Sequence, residues 1–390
     1  MPGPLSGIRI LDLTMVVSGP SATQILGDQG ADVIKVEPPH GDFTRHVATR
    51  KDGYSASFLN NNRNKRSIVL DLKTDAGLAA VRKLAESSDV FIHNFRPGVV
   101  DRLGVGEDAV RKIRPDIIYC SISGFGFEGP YRDKPVYDPL IQAVSALTSV
   151  QAGSDEERPR LVRTILPDKL TGIQASQAVT AALFHRERTG IGQHIKLSML
   201  DTIIAFLWGS DMGGHTFVGK ELEKEEAQSF IDLIYETVDG FVSVAVMQDK
   251  QWHAFCMAMN CNHLREDKRF ASAALREINK DARLNEIQNV LRSHPTNEIL
   301  STLEAAGVPC APVLTRTQMR EHPQVKANGI IIETEHPNAG QLRQTRSAAT
   351  FSVTSPEIRM GAPALGQHTE EVLREIGLEK AMIAANLAKP

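Results

Sequence analysis

Two apolar runs near the start of the chain, Ile8 to Leu13 (IRILDL) and Asp32 to Val36 (DVIKV), are separated by a loop holding Gly19 and Pro20 and by a helix-length segment that closes at DQGA. A strand, helix and second strand in so short a span make the strands parallel, because the crossover returns the chain to the end from which it started. The pattern then repeats. Ser67 to Asp71 reads as a strand, Lys73 to Ser87 as a helix, Val90 to His93 as a strand, Glu107 to Ile113 as a helix and Asp116 to Ser123 as a strand. The expected fold class is α/β, with a doubly wound, Rossmann-like parallel sheet. In such sheets ligands sit outside the carboxyl ends of the strands, which places Thr14 to Ser18, Glu37 to Arg45, Asn94 to Gly98 and Gly124 to Tyr137 around any site. The first of these turns, MVVSGPSA, lacks the G-x-G-x-x-G that lets a pyrophosphate approach the backbone, so NAD and FAD are not expected.

The 390 residues, 42% of them hydrophobic, exceed what one core usually holds, so a second domain is expected. From Phe230 a new pattern begins: YETVDGFVSVAV reads as a hairpin and Lys250 to Met259, Lys280 to Ser293 and Thr296 to Ala306 as helices, giving a smaller α+β domain. Beyond Pro309, GIIIETEH and SAATFSVTS read as short strands, and Thr369 to Ile376 as a helix stopped by Gly377. The expected division is a large domain over 1–205 completed by 330–390, a linker at 206–229, a small domain at 230–315 and a second linker at 316–329.

A formal net charge of −3 provides no basic footprint for nucleic acid. No window approaches a membrane span and the first residues lack a signal-peptide pattern, so a cytoplasmic, soluble protein is expected. His253, Cys256, Cys261 and His263 cluster in sequence, but their spacing fits no common zinc site and they lie among Phe255, Met257 and Met259; no metal is expected.

The segment RTILPDKLTGIQASQAVTAAL, from Arg163, puts Asp168 just after a proline and ahead of a long helical pattern. There the helix's unpaired N–H groups and the positive end of its dipole favour an ionised carboxylate. Such an Asp can cap the helix or carry chemistry, and local sequence does not separate the two.

Ten segments together narrow the choice. PLSGIRILDLT, VIKVEPPHGDFTR, NKRSIVLDLK, NFRPGVVDRLG, YCSISGFGFEGPY, YDPLIQA, the Asp168 helix, RTGIGQHIKLSMLD, GVPCAPV and APALGQHTEEVL run through almost the whole chain. In their order and spacing the chain resembles the family III CoA-transferases (CaiB/BaiF), the group that includes formyl-CoA and carnitine CoA-transferases. The resemblance implies that Asp168 is a nucleophile, that an acyl-CoA thioester is a substrate with no permanently bound cofactor, and that a small carboxylic acid accepts the CoA. Asp168 would attack the donor thioester to give a mixed anhydride and CoA thiolate, the thiolate would convert it to an aspartyl-CoA thioester, and the acceptor carboxylate would then take the CoA. The implied CoA-contact positions are Val16, Leu70, Asn94, Phe95, Arg102 and Tyr137. Arg96 and Arg102 flank a Pro-Gly turn from which guanidinium groups can meet phosphate, ordinary surface charge being the alternative.

Departures from the family pattern also carry information. Met15, Val17 and Pro38 stand where formyl-CoA transferase has a His, a Gln and an Arg, so the phosphate clasp is expected to be built differently; Met15, Val17 and Phe43 point to a more apolar acyl site, and Arg45 is a candidate partner for an acceptor carboxylate. EKEEAQS, at 223 to 229, stands where that enzyme has a glycine-rich flap. The family implies an interlocked homodimer. Two alternatives share the loops: an α-methylacyl-CoA racemase, which needs an imidazole where this chain has Tyr137 beside Asp138, and a non-catalytic CoA-binding subunit.

Overall fold

The protein is described from a computed structural model covering residues 3–221 and 233–378, so the EKEEAQS segment lies outside the described residues. The chain divides into two compact units, one formed by the residues up to 225 together with those from 329 onward, the other by 226–328.

In the first unit, β1 (Arg9–Leu13), β2 (Asp32–Glu37), β3 (Lys65–Val69), β4 (Val90–His93), β5 (Ile118–Ser123) and β6 (His194–Ser198) form one sheet in the order β3-β2-β1-β4-β5-β6, with every pair parallel. Successive residues point to opposite faces. Leu11, Ile34, Phe91 and Tyr119 enter one core, while Ile10, Val33, Val90, Ile92 and Ile118 enter the other. The first core packs on α2 (Asp75–Glu86) and α3 (Glu107–Ile113), the second on α1 (Ser18–Asp28) and α5 (Leu166–Thr189). Between them lie α4 (Asp138–Val144) and, after β6, α6 (Met199–Trp208). Near the chain's end α7 (Thr369–Glu375) closes the β3 edge: Thr369 Oγ1 accepts the Val69 N–H at 3.0 Å and Arg66 reaches Glu371 and Glu375.

Several elements differ from expectation. The strand expected at Ser67 to Asp71 runs instead from Lys65 to Val69, because the Lys65 charge is buried against Asp12 at 3.2 Å and Arg66 pairs with Asp32 at 2.7 Å; both cations disguise a strand. The sixth strand, HIKLS, was not expected. α1 starts at Ser18, inside the segment read as loop, and α5 extends for 24 residues to Thr189, where Gly190 at φ 73° ends it. SAATFSVTS forms no strand. The partner of β7 (Ile331–His336) is the polar β8 (Gly340–Thr345), whose Gln344 turns inward to donate to Leu59 O at 3.2 Å.

The second unit joins Ile234–Glu236, Phe241–Val244 and Cys310–Pro312 in an antiparallel sheet, with helices Asp249–Ala258, Lys280–Leu291 and Thr296–Ala305 packed around Trp252, Phe255 and Phe270. Cys256 and Cys261 belong to this core, whereas His253 and His263 are exposed. Among the described residues no three potential metal ligands converge. No described helix is long and apolar enough to cross a membrane.

Candidate active site

The strand order reverses between β1 and β4, so their following loops part and leave a crevice at the carboxyl end of the sheet. A cleft of about 220 Å³ opens there. Val16 reaches it from the loop after β1, Ser18 from the start of α1, Asn94, Phe95 and Arg96 from the loop after β4, Tyr137 and Asp138 from the start of α4, and Asp168 from the first turn of α5.

Asp168 stands on a helix whose placement is set by small residues. A Cβ at Gly172 would lie 2.0 Å from Ser21 Oγ and 2.8 Å from Ser18 O, so α1 and α5 touch closely at this point, one turn beyond Asp168. The contact brings Ser18 to the carboxylate, which accepts hydrogen bonds from both the Ser18 N–H and its hydroxyl. Asp168 does not cap its own helix. That role falls to Asp138, whose Oδ2 accepts the Asp168 N–H at 3.1 Å while its Oδ1 accepts Gln142 Nε2 at 2.7 Å. Gln142 Oε1 in turn accepts the Val162 N–H at 2.9 Å, tying the approach to α5 to α4.

The electrostatics overturn one expectation. A carboxylate at a helix start should have a low pKa, but burial, with the neighbouring Asp138 in second place, raises Asp168 from 3.8 to about 6 against the two Ser18 bonds, which lower it. Burial also raises Asp138. Such a group still ionises at neutral pH and is a stronger nucleophile than a solvated aspartate. At the outer part of the cleft Arg96 is joined by Arg132 and Lys134, cations suited to phosphate oxygens. Ile122, Phe125, Val136 and Met199 supply its apolar wall.

Beneath the floor runs a polar chain that sequence reasoning missed. Phe95 N–H donates to His93 Nδ1 at 3.2 Å, which leaves the proton of the neutral ring on Nε2, and Ser121 Oγ lies 2.9 Å from both His93 Nε2 and His194 Nε2. Burial drives His93 down to about 3, so it stays neutral. These rings buttress the loop that carries Phe95.

The structure thus brings Val16, Asn94, Phe95, Arg96, Tyr137 and Asp168 to one cleft. Leu70 and Arg102 are not among its lining residues: Leu70 is wholly buried in the core and Arg102 lies on the turn beyond Gly98. Met15, Val17 and Phe43 do not line it either, and the apolar wall comes from other residues. Arg45 is already engaged, with Nη2 2.7 Å from Glu37 Oε1, Nε 2.8 Å from Oε2 and its guanidinium over Phe58, so it is not free for an acceptor. Ser18, Arg132 and Lys134 lie in loops expected around the site and Gln142 in the YDPLIQA segment, but none of the four was singled out, and Asp138 entered only through the racemase alternative.

The model of CoA-transferase family III matches residues 5–369. The chain belongs to CoA-transferase family III. It is 34% identical to the succinate–glutarate CoA-transferase of Agrobacterium fabrum over 383 residues, covering 96% of each chain. It is 33% identical to a formyl-CoA:oxalate CoA-transferase of Streptomyces coelicolor, covering 96% of this chain and 95% of that one. The crystal structure of a CaiB/BaiF family protein from Brucella suis superposes with a TM-score of 0.84 at 31% identity, covering 96% of this chain and all of that one. The protein is therefore a CoA-transferase, an enzyme class that uses CoA thioesters as substrates, and the cleft can be read in those terms.

Proposed function

We propose that this CoA-transferase works through covalent attachment to Asp168. The observation that carries the reading is a carboxylate raised to about 6, lining the cleft, held by Ser18 and released from capping by Asp138. Asp168 attacks the donor thioester carbonyl, expelling CoA thiolate and leaving a mixed anhydride. The thiolate adds to the aspartyl carbonyl, releasing the donor acid and leaving an aspartyl-CoA thioester. The acceptor carboxylate then attacks this thioester, forming a second anhydride that the thiolate opens to give the new acyl-CoA and free Asp168. Val16, Asn94, Phe95, Arg96 and Tyr137 hold the CoA, with Arg96 on phosphate. No histidine lines the cleft among the described residues, which supports transfer over racemisation.

The names of the relatives put succinate, glutarate and oxalate first among acids to test. Purified enzyme given succinyl- or formyl-CoA with each acid, with products read by mass, should form the acceptor's CoA ester, and Asp168→Asn should form none. An Asp168→Asn variant that keeps more than about a tenth of the rate, a barrier change under 1.4 kcal/mol, would end this reading.

Exposed Ile173 and Phe184 on α5 and Ile204, Phe206 and Trp208 on α6 support a homodimer, which by family resemblance is interlocked. Mixed dimers formed within minutes from differently tagged native preparations would contradict the interlocking.

A further inference from the structure

Val16 stands at φ 72°, a left-handed backbone that a β-branched residue adopts only when its surroundings impose it. Three side chains impose it here, two of them wholly buried. Asp42 Oδ1 accepts the Val16 N–H at 3.3 Å and also the Thr44 N–H and hydroxyl, at 2.9 and 2.8 Å. Lys35, like Asp42 wholly buried, places Nζ 2.9 Å from Asp42 Oδ2 and 2.8 Å from Thr14 O. Asn94 brackets the intervening residue, with Oδ1 accepting the Met15 N–H at 2.9 Å and Nδ2 donating to Met15 O at 2.7 Å. The loop must also turn straight into α1, since a Cβ at Gly19 would lie 2.3 Å from Thr14 Cβ. Two residues after Val16 comes Ser18, whose N–H and hydroxyl hold Asp168. Neither Asp42 nor Lys35 lines the cleft.

We propose that Asp42, ion-paired with Lys35, is a positioning residue for the reaction: it holds Val16 in the left-handed conformation and so aims Ser18 at the Asp168 carboxylate. The proposal rests on Asp168 being the nucleophile. Replacing the carboxylate of Asp42 by an amide turns a charge-assisted bond to Val16 into a neutral one and takes away the partner of Lys35. Val16 then relaxes towards negative φ and Ser18 leaves Asp168. The two bonds that favour the ionised nucleophile are lost, while the cations at the outer part of the cleft stay in place.

The test compares kcat, KM and pH profile for Asp42→Asn in two backgrounds, wild type and Val16→Gly, because glycine takes φ 72° without strain. In the wild-type background Asp42→Asn is expected to lower kcat by about 10- to 100-fold, with KM for acyl-CoA nearly unchanged and the acid limb of the profile moved to higher pH. In the Val16→Gly background the same change is expected to cost no more than about twofold. Should Asp42→Asn unfold because Lys35 is stranded, the pair Lys35→Met with Asp42→Asn removes both buried charges and is expected to show the same dependence on residue 16. An equal loss in both backgrounds, a loss confined to KM, or an unmoved acid limb overturns the proposal. Asp168→Asn, assayed alongside, separates the two ideas: its activity, if retained, defeats the nucleophile itself, whereas an inactive Asp168→Asn with a loss independent of residue 16 defeats only the role of Asp42.

Discussion

Asp168→Asn should make the protein more stable at pH 7 while abolishing transfer. The carboxyl titrates at 3.8 when solvated and at about 6 in the fold, so the folded chain binds this proton more tightly than the unfolded one. Below pH 3.8 both states are protonated and the group contributes nothing. As pH rises towards 6 the unfolded state ionises first, and wild-type stability falls by an amount that levels off near 3 kcal/mol, an upper bound because the site is partly open to solvent. Asparagine has no such penalty, keeps the shape of the side chain and leaves the Asp138 cap untouched. Thermal unfolding of both proteins from pH 4 to 8 should therefore show similar midpoints at pH 4 and a variant more stable above pH 6, by roughly 2–4 °C per kcal/mol for a unit of this size. In wild type kcat/KM should fall on the acid side of about pH 6, following the same proton. A variant less stable than wild type at pH 7, or a difference that does not change with pH, would mean that Asp168 is a capping or solvated carboxylate, and the electrostatic account of the site would be wrong.

Gly172→Ala puts a methyl group where Ser21 Oγ and Ser18 O already sit, so it should cost about 1–3 kcal/mol in denaturant unfolding and lower kcat as Ser18 shifts from Asp168. Wild-type kcat would show that the helix contact does not place the nucleophile. Ser121→Ala leaves His93 Nε2 and His194 Nε2 without their shared partner and should destabilise by about 1–3 kcal/mol, read by chemical unfolding; no loss would mean water replaces the hydroxyl. Arg96→Ala should raise KM for acyl-CoA by about tenfold, with kcat little changed and a weaker dependence of KM on salt, and an unchanged KM would remove Arg96 from the phosphate site.

How much of this was legible follows from where the determinants lie. Strands β1, β2 and β4 announce themselves because their apolar residues are contiguous and both faces are buried. The start of β3 and the whole of β6 do not, because Lys65, Arg66 and His194 sit in them and their polar atoms find partners only once neighbouring strands are in place. Likewise a Pro-Asp pair before a helix marks Asp168, whereas Ser18 meets it only through the contact of α1 and α5 at Gly172. The pKa reversal was hidden for the same reason: the dipole is a local property, but burial and the approach of Asp138 are tertiary. Arg45 looked available to a substrate because its partner Glu37 lies in the same motif, and sequence alone does not show that the two fold onto one another.

The most direct test of the account is chemical capture of the intermediate. Enzyme incubated with an acyl-CoA donor and no acceptor, then quenched with hydroxylamine and digested, should yield a peptide carrying a hydroxamate at Asp168 that is absent without donor and absent from Asp168→Asn. Turnover of the same preparation with no modification at Asp168, or with the label on another carboxylate, would contradict it.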